Sequence, residues 1–260
     1  MTFDALDERM RVFETSVDLC VLPGIFFVAR LDGRGFTRLT KEVHPFEAPF
    51  DPRFRDFMLQ TTEHLMTQCG FKILYGFTQS DEISLLFGLA ENSFQRKQRK
   101  LLSILAGEAS AKFSQLLGAV AAFDCRLSLL PTTDLVVDYF RWRSEDAHRN
   151  ALNAHCYWLL RKQDRTVSEA TRALHGLSVA AKNEMLFQQG INFNDLPAWQ
   201  KRGSGLYWEE YDRPALNPMT GAQGTTRRRR LRHDLELPLK EEYATFLHKL
   251  LAPIPEASPR

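Results

Sequence analysis

The chain has 260 residues, 44% of them hydrophobic and 25% charged, with Lys+Arg 34 against Asp+Glu 32 and a formal net charge of +2. That length is enough to bury a sizeable core in one large domain or two small ones, and near-neutrality excludes a generally basic nucleic-acid coat, so any basic surface must be local. Four scattered cysteines (Cys20, Cys69, Cys125, Cys156) lack C-x-x-C spacing, which argues for reduced thiols in a cytoplasmic compartment rather than a disulfide frame or zinc site, and no run of about 18 apolar residues exists to span a bilayer.

Residues 1–20 open without the basic-then-apolar plan of a signal peptide. They carry Leu6, Met10, Phe13 and Val17 at helical spacing. The apolar run Ile25–Leu31 reads as a strand and ends in an acidic turn, Asp32-Gly33-Arg34-Gly35-Phe36. Asp51-Pro52 is a helix start, Asp as N-cap and Pro at the first helical position, and Gly70 is its stop. Phe71–Thr78 and Ile83–Leu89 predict two strands joined by the turn Gln79-Ser80-Asp81-Glu82. Asn92-Ser93 predicts the cap of a long helix with Arg96, Lys97 and Lys100 in its first turns, and Phe123–Leu130 a strand stopped by Pro131.

This order, βαββαβ, predicts an α+β protein built on a ferredoxin-like or polymerase-palm unit, an antiparallel sheet with helices on one face. We expect that palm over residues 1–132. A helical and β-ribbon extension follows over 133–240, with strands at Gly205–Tyr211 and Arg229–Leu237 around a turn-rich loop. A C-terminal helix and tail, containing Pro253, Pro255 and Pro259, occupies 241–260.

Asp32 and Asp81 stand 49 residues apart (81 − 32), a gap that suits one helix plus one strand and can bring the two strand ends together. An Asp before Gly, or an acidic hairpin tip, is by itself ordinary turn chemistry. Paired carboxylates beside a Gly/Arg turn suit divalent metals and nucleotide phosphates, because two metals stabilise the attacking and leaving oxygens of an in-line displacement. Gly33 and Gly35 let backbone N–H groups approach an anion. Positive charge from Arg96, Lys97, Arg99 and Lys100 at a helix start is a misfit against the macrodipole and invites an anion. Arg126, in a mostly apolar strand, reads as a half-buried guanidinium seeking phosphate or carboxylate.

On the helix around 146–160, Asp146, Arg149, Asn150, Asn153 and Tyr157 form a polar stripe. His148 and His155 are about 10.5 Å apart along a helix, too far to share one zinc unaided, and read as structural or phosphate-contacting. The run Arg227-Arg228-Arg229-Arg230-Leu231-Arg232 is the strongest local basic signal and suits a nucleic-acid backbone.

Several long segments in order then resemble one family: R-L-D-G-R-G-F (30–36), Y-G-F-T-Q-S-D-E-I-S (75–84), F-D-C-R-L (123–127), W-R-S-E-D-A-H-R-N-A-L-N (142–153) and K-N-E-M-L-F-Q-Q-G-I-N-F-N (182–194), followed by Trp199 through Trp208. Over about residues 20–237 the chain is similar to the tRNA-histidine guanylyltransferases, palm enzymes that add nucleotides to the 5′ end of tRNA. The resemblance implies that Asp32, the Gly33 carbonyl and Asp81 bind two Mg²⁺, with Glu82 in support. It implies that Asp32, Gly33, Arg34, Gly35, Phe36, Thr37, Ser80 and Asp81 hold the nucleoside triphosphate (GTP or ATP), with Lys97, Lys100 and Arg126 as triphosphate contacts. It implies tRNA-linked positions at His148 and Lys182, which join Arg149 and Asn150 of the polar stripe and Arg227–Arg230 of the basic run as the tRNA-facing set, and a homotetramer is the family's assembly.

One departure refines this. The guanylate-adding branch carries H-I-N-N-L-Y-N, where this chain has His148-Arg149-Asn150-Ala151-Leu152-Asn153-Ala154. The segment resembles the guanylyltransferase-like branch of bacteria and archaea, which implies template-dependent 3′–5′ addition to 5′-truncated tRNA rather than untemplated guanylation of histidine tRNA. A palm-type nucleotidyl cyclase and a non-enzymatic RNA-binding module are the rival readings. The cyclase gives no role to the arginine run, and the binding module gives none to intact Asp32, Asp81 and Glu82.

Overall fold

Two acidic-ended apolar runs pair directly: β1 (Phe26–Gly33) lies antiparallel to β3 (Glu82–Phe87), with Asp32 opposite Glu82. This is a computed structural model, and it describes residues 1–44, 46–216 and 223–252. The proline tail (Pro253, Pro255, Pro259) and the middle of the loop between the last two strands lie outside the described residues. The described strands form one six-stranded sheet, ordered β4-β1-β3-β2-β5-β6, with β2 Ile73–Gln79, β4 Phe123–Leu130, β5 Ser204–Leu216 and β6 Gln223–Asp234. Among the described residues every strand pairing is antiparallel, as the βαββαβ order predicts. Unlike the short strand pair expected around a turn-rich loop, β5 and β6 run on as a ribbon and carry Asp212 and Thr226 inside the pairing.

Strand alternation sorts the core into two layers. Phe27, Ala29 and Leu31 of β1, with Ile83, Leu85 and Phe87 of β3, pack under α3 (Pro52–Thr67) and α4 (Gln98–Leu117). The opposite face, with Val28, Tyr75, Phe77 and Leu86, is covered by the first half of α5 (Thr133–Lys162) and by α9 (Lys240–Leu251). The C-terminal helix is therefore no loose tail: Tyr243 is buried and its hydroxyl meets that of Tyr75 at 2.9 Å. A third cluster, Ala151, Leu152, Cys156 and Leu160, joins the second half of α5 to α6 (Val167–Leu174) and α7 (Val179–Phe187).

Asp51 starts α3 as expected: Oδ1 accepts from the Arg53 N–H and Oδ2 from the Glu47 N–H, both at 2.7 Å. The Arg53 side chain also bonds this buried carboxylate, holding its pKa down at about 2 against the opposing effect of burial. A depressed carboxyl pKa contributes stability above the unfolded value, near 3.8, and loses it as pH falls towards 2. Asp51→Ala is expected to lower unfolding free energy at pH 7 by about 1–2 kcal/mol through loss of the cap. In urea melts, the gap from wild type should shrink at pH 2.

Two expectations at the other end of the sheet are corrected. The long helix does not start at Asn92-Ser93: Phe94, Gln95 and Arg96 adopt positive φ (53°, 56° and 57°), and α4 begins only at Gln98. Arg96 is buried and donates to the carbonyls of Ile25, Leu89 and Glu91, while Lys97 and Arg99 both pair with Asp18, whose pKa they hold at about 2. The anion that this cluster invites is the chain's own Asp18. The first helix, α1 (Phe3–Thr15), forms but buries nothing, and Leu6, Met10, Phe13 and Val17 are all exposed.

Candidate active site

Register, rather than proximity in sequence, builds the site. Asp32 sits between Asp124 of β4 and Glu82 of β3, so three carboxylates from three strands form one row on the face that α5 covers. Two residues along each strand lies a second row, Arg126, Arg30 and Ser84. Like charges directly opposite one another destabilise a sheet, so the acidic row depends on its cations. Arg30 lies 4.0 Å from Glu82. Arg126 lies 3.8 Å from Asp32 and 3.2 Å from Asp124.

A further cation comes from α5. Arg143, with only 9% of its side chain exposed, pairs with Glu82 and, at 3.2 Å, with Asp146 on the next turn. Glu82 is thus committed to Arg143 and Asp124 to Arg126 at 3.2 Å, which leaves Asp32, 3.8 Å from Arg126, and Asp81 as the less engaged carboxylates of the corner. Sequence reasoning assigned no role to Arg143 or Asp124, although both fall inside quoted motifs.

Asp81 belongs to the two-residue turn between β2 and β3. Ser80 takes φ 52° there, and its hydroxyl donates to Asp81 Oδ1 at 3.0 Å. Gln79 anchors the turn by donating to the Gln200 carbonyl at 3.0 Å. The Gly33 N–H donates to the Asp81 carbonyl at 3.1 Å, which stitches the two acidic turns together. Burial pushes the Asp81 carboxyl above its ordinary pKa, and the charges of Asp32 and Glu82 push the same way. Hard, partly desolvated oxygens of like charge fit a divalent cation in the Mg²⁺ class, with the Gly33 carbonyl as a neutral oxygen beside them.

The turn after β1 has a specific shape. A Cβ on Gly33 would lie 2.6 Å from the Phe36 ring, which is buried beneath the turn. Gly35 is left-handed (φ 72°) and leads into a short helical segment, α2 (Phe36–Arg38). The Arg34 N–H is used by the Ala122 carbonyl, whereas the N–H groups of Phe36 and Thr37 open α2 and have no acceptor within that helix. They make a small anion nest at the carboxylates.

Beside this corner opens a cavity of about 330 Å³, lined in part by Thr37, Ser80, Asp81 and the rings of Phe46, Phe50, Trp158 and Trp199. Arg55 stacks over Trp199 at 4.7 Å, and Lys41 lies 5.3 Å from the Trp158 ring. Aromatic walls next to an anion nest suit a base with its phosphates, since every nucleobase offers a π-face. Phe46 and Phe50 come from one loop and Trp158 and Trp199 from two other segments, and of the four only Trp199 falls inside a quoted motif.

The predicted site residues divide. Asp32, Gly33, Arg34, Gly35, Phe36, Thr37, Ser80, Asp81 and Glu82 all meet at this corner. Arg126 joins them from the edge strand, with 52% of its side chain exposed and its guanidinium turned to the carboxylates of Asp32 and Asp124. Lys97 and Lys100 do not come here. Arg96 reaches Ile25, at the start of β1, and Asp32 stands seven residues further along (32 − 25), roughly 23 Å of strand away. Lys97 is also held by Asp18, at 2.8 Å.

His148 borders a separate polar cavity of about 310 Å³ with Asn183, Glu184, Asn192 and Asn194, and its ring meets Phe193 edge-on. Burial lowers its pKa, as do the charges of Lys201, Arg202 and Lys240, and burial takes His155 down to about 4. Burial thus favours the neutral form of both rings. Arg149 and Asn150 are exposed on α5 beyond Arg143, and Asn150 donates to Asp146. Lys182 sits on α7, its carbonyl 3.4 Å from the Cys156 thiol.

The arginine run lies on β6 opposite acids of β5. Arg227 is 3.7 Å from both Glu210 and Asp212, and Arg230 and Arg232 share Glu209 at 2.8 and 3.2 Å. Arg229 stacks on Trp208 at 4.6 Å and Arg230 on Tyr211 at 5.1 Å. The run is thus one side of a charged, aromatic ribbon rather than a bare basic strip.

Comparisons with known proteins agree with one another. The family model described as tRNAHis guanylyltransferase matches residues 7–131, and that described as the Thg1 C-terminal domain matches 134–242. A probable tRNA(His) guanylyltransferase of Mus musculus is 32% identical over 79% of this chain and 71% of its own length. One from Drosophila melanogaster is 33% identical over 76% and 72%. Among solved structures, a bacterial tRNA(His) guanylyltransferase (Thg1)-like protein in complex with GTP superposes with TM-score 0.73 at 27% identity, covering 96% of this chain and 100% of that one. Such a protein in complex with ATP gives 0.76 at 25% identity, covering 95% and 99%.

Proposed function

From the premise that this chain belongs to the tRNAHis guanylyltransferase family of nucleotidyltransferases, we propose that it is a template-dependent 3′–5′ nucleotidyltransferase repairing the 5′ end of truncated tRNA. The carrying observation is the acidic corner, Asp32 and Asp81 with the Gly33 carbonyl, lying between an anion nest and an aromatic cavity. Asp32, Asp81 and the Gly33 carbonyl would hold two Mg²⁺, which supply charge neutralisation to an in-line phosphoryl displacement. The Phe36 and Thr37 N–H groups bind phosphate oxygens of GTP or ATP. The rings of Phe46, Phe50, Trp158 and Trp199 take the base. Arg126, exposed beside Asp32, is positioned to exchange its carboxylate contacts for phosphate ones. Arg143 positions Glu82, and so keeps the third carboxylate of the row from crowding Asp32.

The reaction has two stages: nucleotidyl transfer onto the tRNA 5′-monophosphate, then displacement of the activating group by the 3′-hydroxyl of the incoming nucleotide. Departure from H-I-N-N-L-Y-N at positions 148–154 supports template-directed addition over histidine-tRNA-specific guanylation. The exposed apolar stripe of α1 supports assembly of copies, a tetramer by resemblance. The four free cysteines suit the cytoplasm. Incubating the protein with a 5′-monophosphorylated tRNA lacking its first nucleotide, with each labelled triphosphate in turn, tests the reading.

Arg149, Asn150 and Lys182 belong to the proposed tRNA surface together with the ribbon arginines. Exposed ion pairs contribute little, so Glu209, Glu210 and Asp212 are weak competitors for phosphate. Neutralising Arg227–Arg230 is expected to weaken tRNA binding while leaving affinity for free triphosphate unchanged. Each lost phosphate contact should flatten the dependence of log K on log salt by roughly 0.7–0.9. An unchanged slope in the quadruple variant would make the run a solvated face.

A further inference from the structure

Away from the acidic corner, on the outer layer, α3 and α4 bring together three side chains of metal-binding type. His64 lies in the last turn of α3, Cys69 follows the end of that helix, and Glu108 comes from the middle of α4. One ligand atom from each lies within 4.8 Å of the others. His64 Nε2 is 2.7 Å from Glu108 Oε2, and the Cys69 thiol is 3.8 Å from the His64 carbonyl.

We propose that His64, Cys69 and Glu108 form a site for a borderline-soft divalent cation such as Zn²⁺, distinct from the Mg²⁺-type corner. The donor set decides the class of ion. Imidazole, thiolate and carboxylate together suit zinc, whereas Mg²⁺ takes hard oxygens alone. With zinc–ligand distances near 2.0–2.3 Å, tetrahedral edges are about 3.4–3.8 Å. The His64–Glu108 contact must therefore open slightly and the thiol close in. Glu108, with 44% of its side chain exposed, has the freedom to move, and water can fill the fourth position. Burial and the Glu108 charge hold the Cys69 thiol protonated, up at about 12, so the bound ion replaces that proton.

The sequence argued against zinc because it shows no C-x-x-C spacing; the fold assembles the ligands instead, from residues 64, 69 and 108 on two helices. An ion here ties α3 to α4. The start of α3, through Phe54 and Met58, lines the aromatic cavity, so the clip also steadies one wall of the proposed base pocket without touching the carboxylates.

The experiment is titration of the purified chain with Co²⁺, and with Zn²⁺ by calorimetry, in excess Mg²⁺ to occupy oxygen-only sites. One ion per chain is expected, with a thiolate-to-cobalt charge-transfer band. Cys69→Ser should abolish the band. Cys20→Ser should keep it. Glu108→Ala, at an exposed helical position that does not threaten folding, should weaken affinity at least tenfold, about 1.4 kcal/mol. Zn²⁺ should raise the melting temperature of wild type and not of Cys69→Ser. Absence of the charge-transfer band, or equal affinity in Glu108→Ala, reduces the cluster to an ordinary His–Glu pair and overturns the site. Both readouts are independent of nucleotide addition, so they stand or fall separately from the proposed tRNA chemistry.

Discussion

Asp32→Ala and Asp81→Ala are each expected to lose at least about 10³-fold in both the activation and the nucleotide-addition step, close to 4 kcal/mol of transition-state stabilisation. One pair of carboxylates serves both displacements on the proposed reading, so the two steps should fall together. Binding of tRNA should persist, because on the proposed reading its phosphate contacts lie on the ribbon and α5. Stability separates this role from a structural one. Asp32 stands between Asp124 and Glu82, so its removal relieves like-charge repulsion and should leave urea stability unchanged or raised by a few tenths of a kcal/mol. For Asp81 the sign follows from its raised pKa. The unfolded carboxyl ionises more readily, so above its ordinary pKa the charged form destabilises the fold, and the cost disappears at pH values below that. Asp81→Asn should therefore be as stable as wild type or more so at pH 7 without divalent ions. Retention of more than a few per cent activity by either alanine variant, or a marked loss of stability, would falsify the catalytic assignment.

What the sequence made legible is whatever rests on local chemistry. Two apolar runs ending at Asp32-Gly33 and at Ser80-Asp81 sufficed for β1, for the β2–β3 turn and for the meeting of their acids. Asp51-Pro52 sufficed for α3, since a cap and a first-turn proline are short-range signals. Asp124 was hidden because it becomes a site residue only through the β1–β4 register, which no window of sequence contains. Arg143 looked like one more charge on a polar helix; its burial against Glu82 depends on how α5 crosses the sheet. Lys97 lies away from the corner because three successive non-glycine residues turn left-handed before α4 and leave Lys97 and Arg99 on Asp18, while Lys100 lies over the Phe94 ring. Arg126 was legible as a guanidinium seeking a carboxylate because its strand is apolar in sequence, whereas its partners, Asp32 and Asp124, follow from the β1–β4 register.

The last expectation concerns the template, and it decides between the two branches of the family. An untemplated guanylate needs a pocket that recognises guanine by hydrogen bonds. The cavity offers the rings of Phe46, Phe50, Trp158 and Trp199 for stacking, which tolerates any base, beside polar side chains such as Thr40, Glu47 and Gln79. Positions 148–154 also lack the second Asn and the Tyr of the guanylate-adding pattern. Discrimination is then left to pairing with the 3′ strand of the tRNA. The enzyme should extend several tRNA species lacking a 5′ nucleotide, each with the base complementary to its template. It should add guanylate opposite cytosine far faster than opposite adenine. The measurement is kcat/KM for guanylate addition to truncated tRNAs that differ only in the opposing base. Each 1.4 kcal/mol of pairing preference expressed in the transition state multiplies that ratio by about ten. A ratio near one, with strong preference for full-length histidine tRNA, would place this chain with the guanylate-adding enzymes and leave the aromatic cavity to bind the activating nucleotide alone.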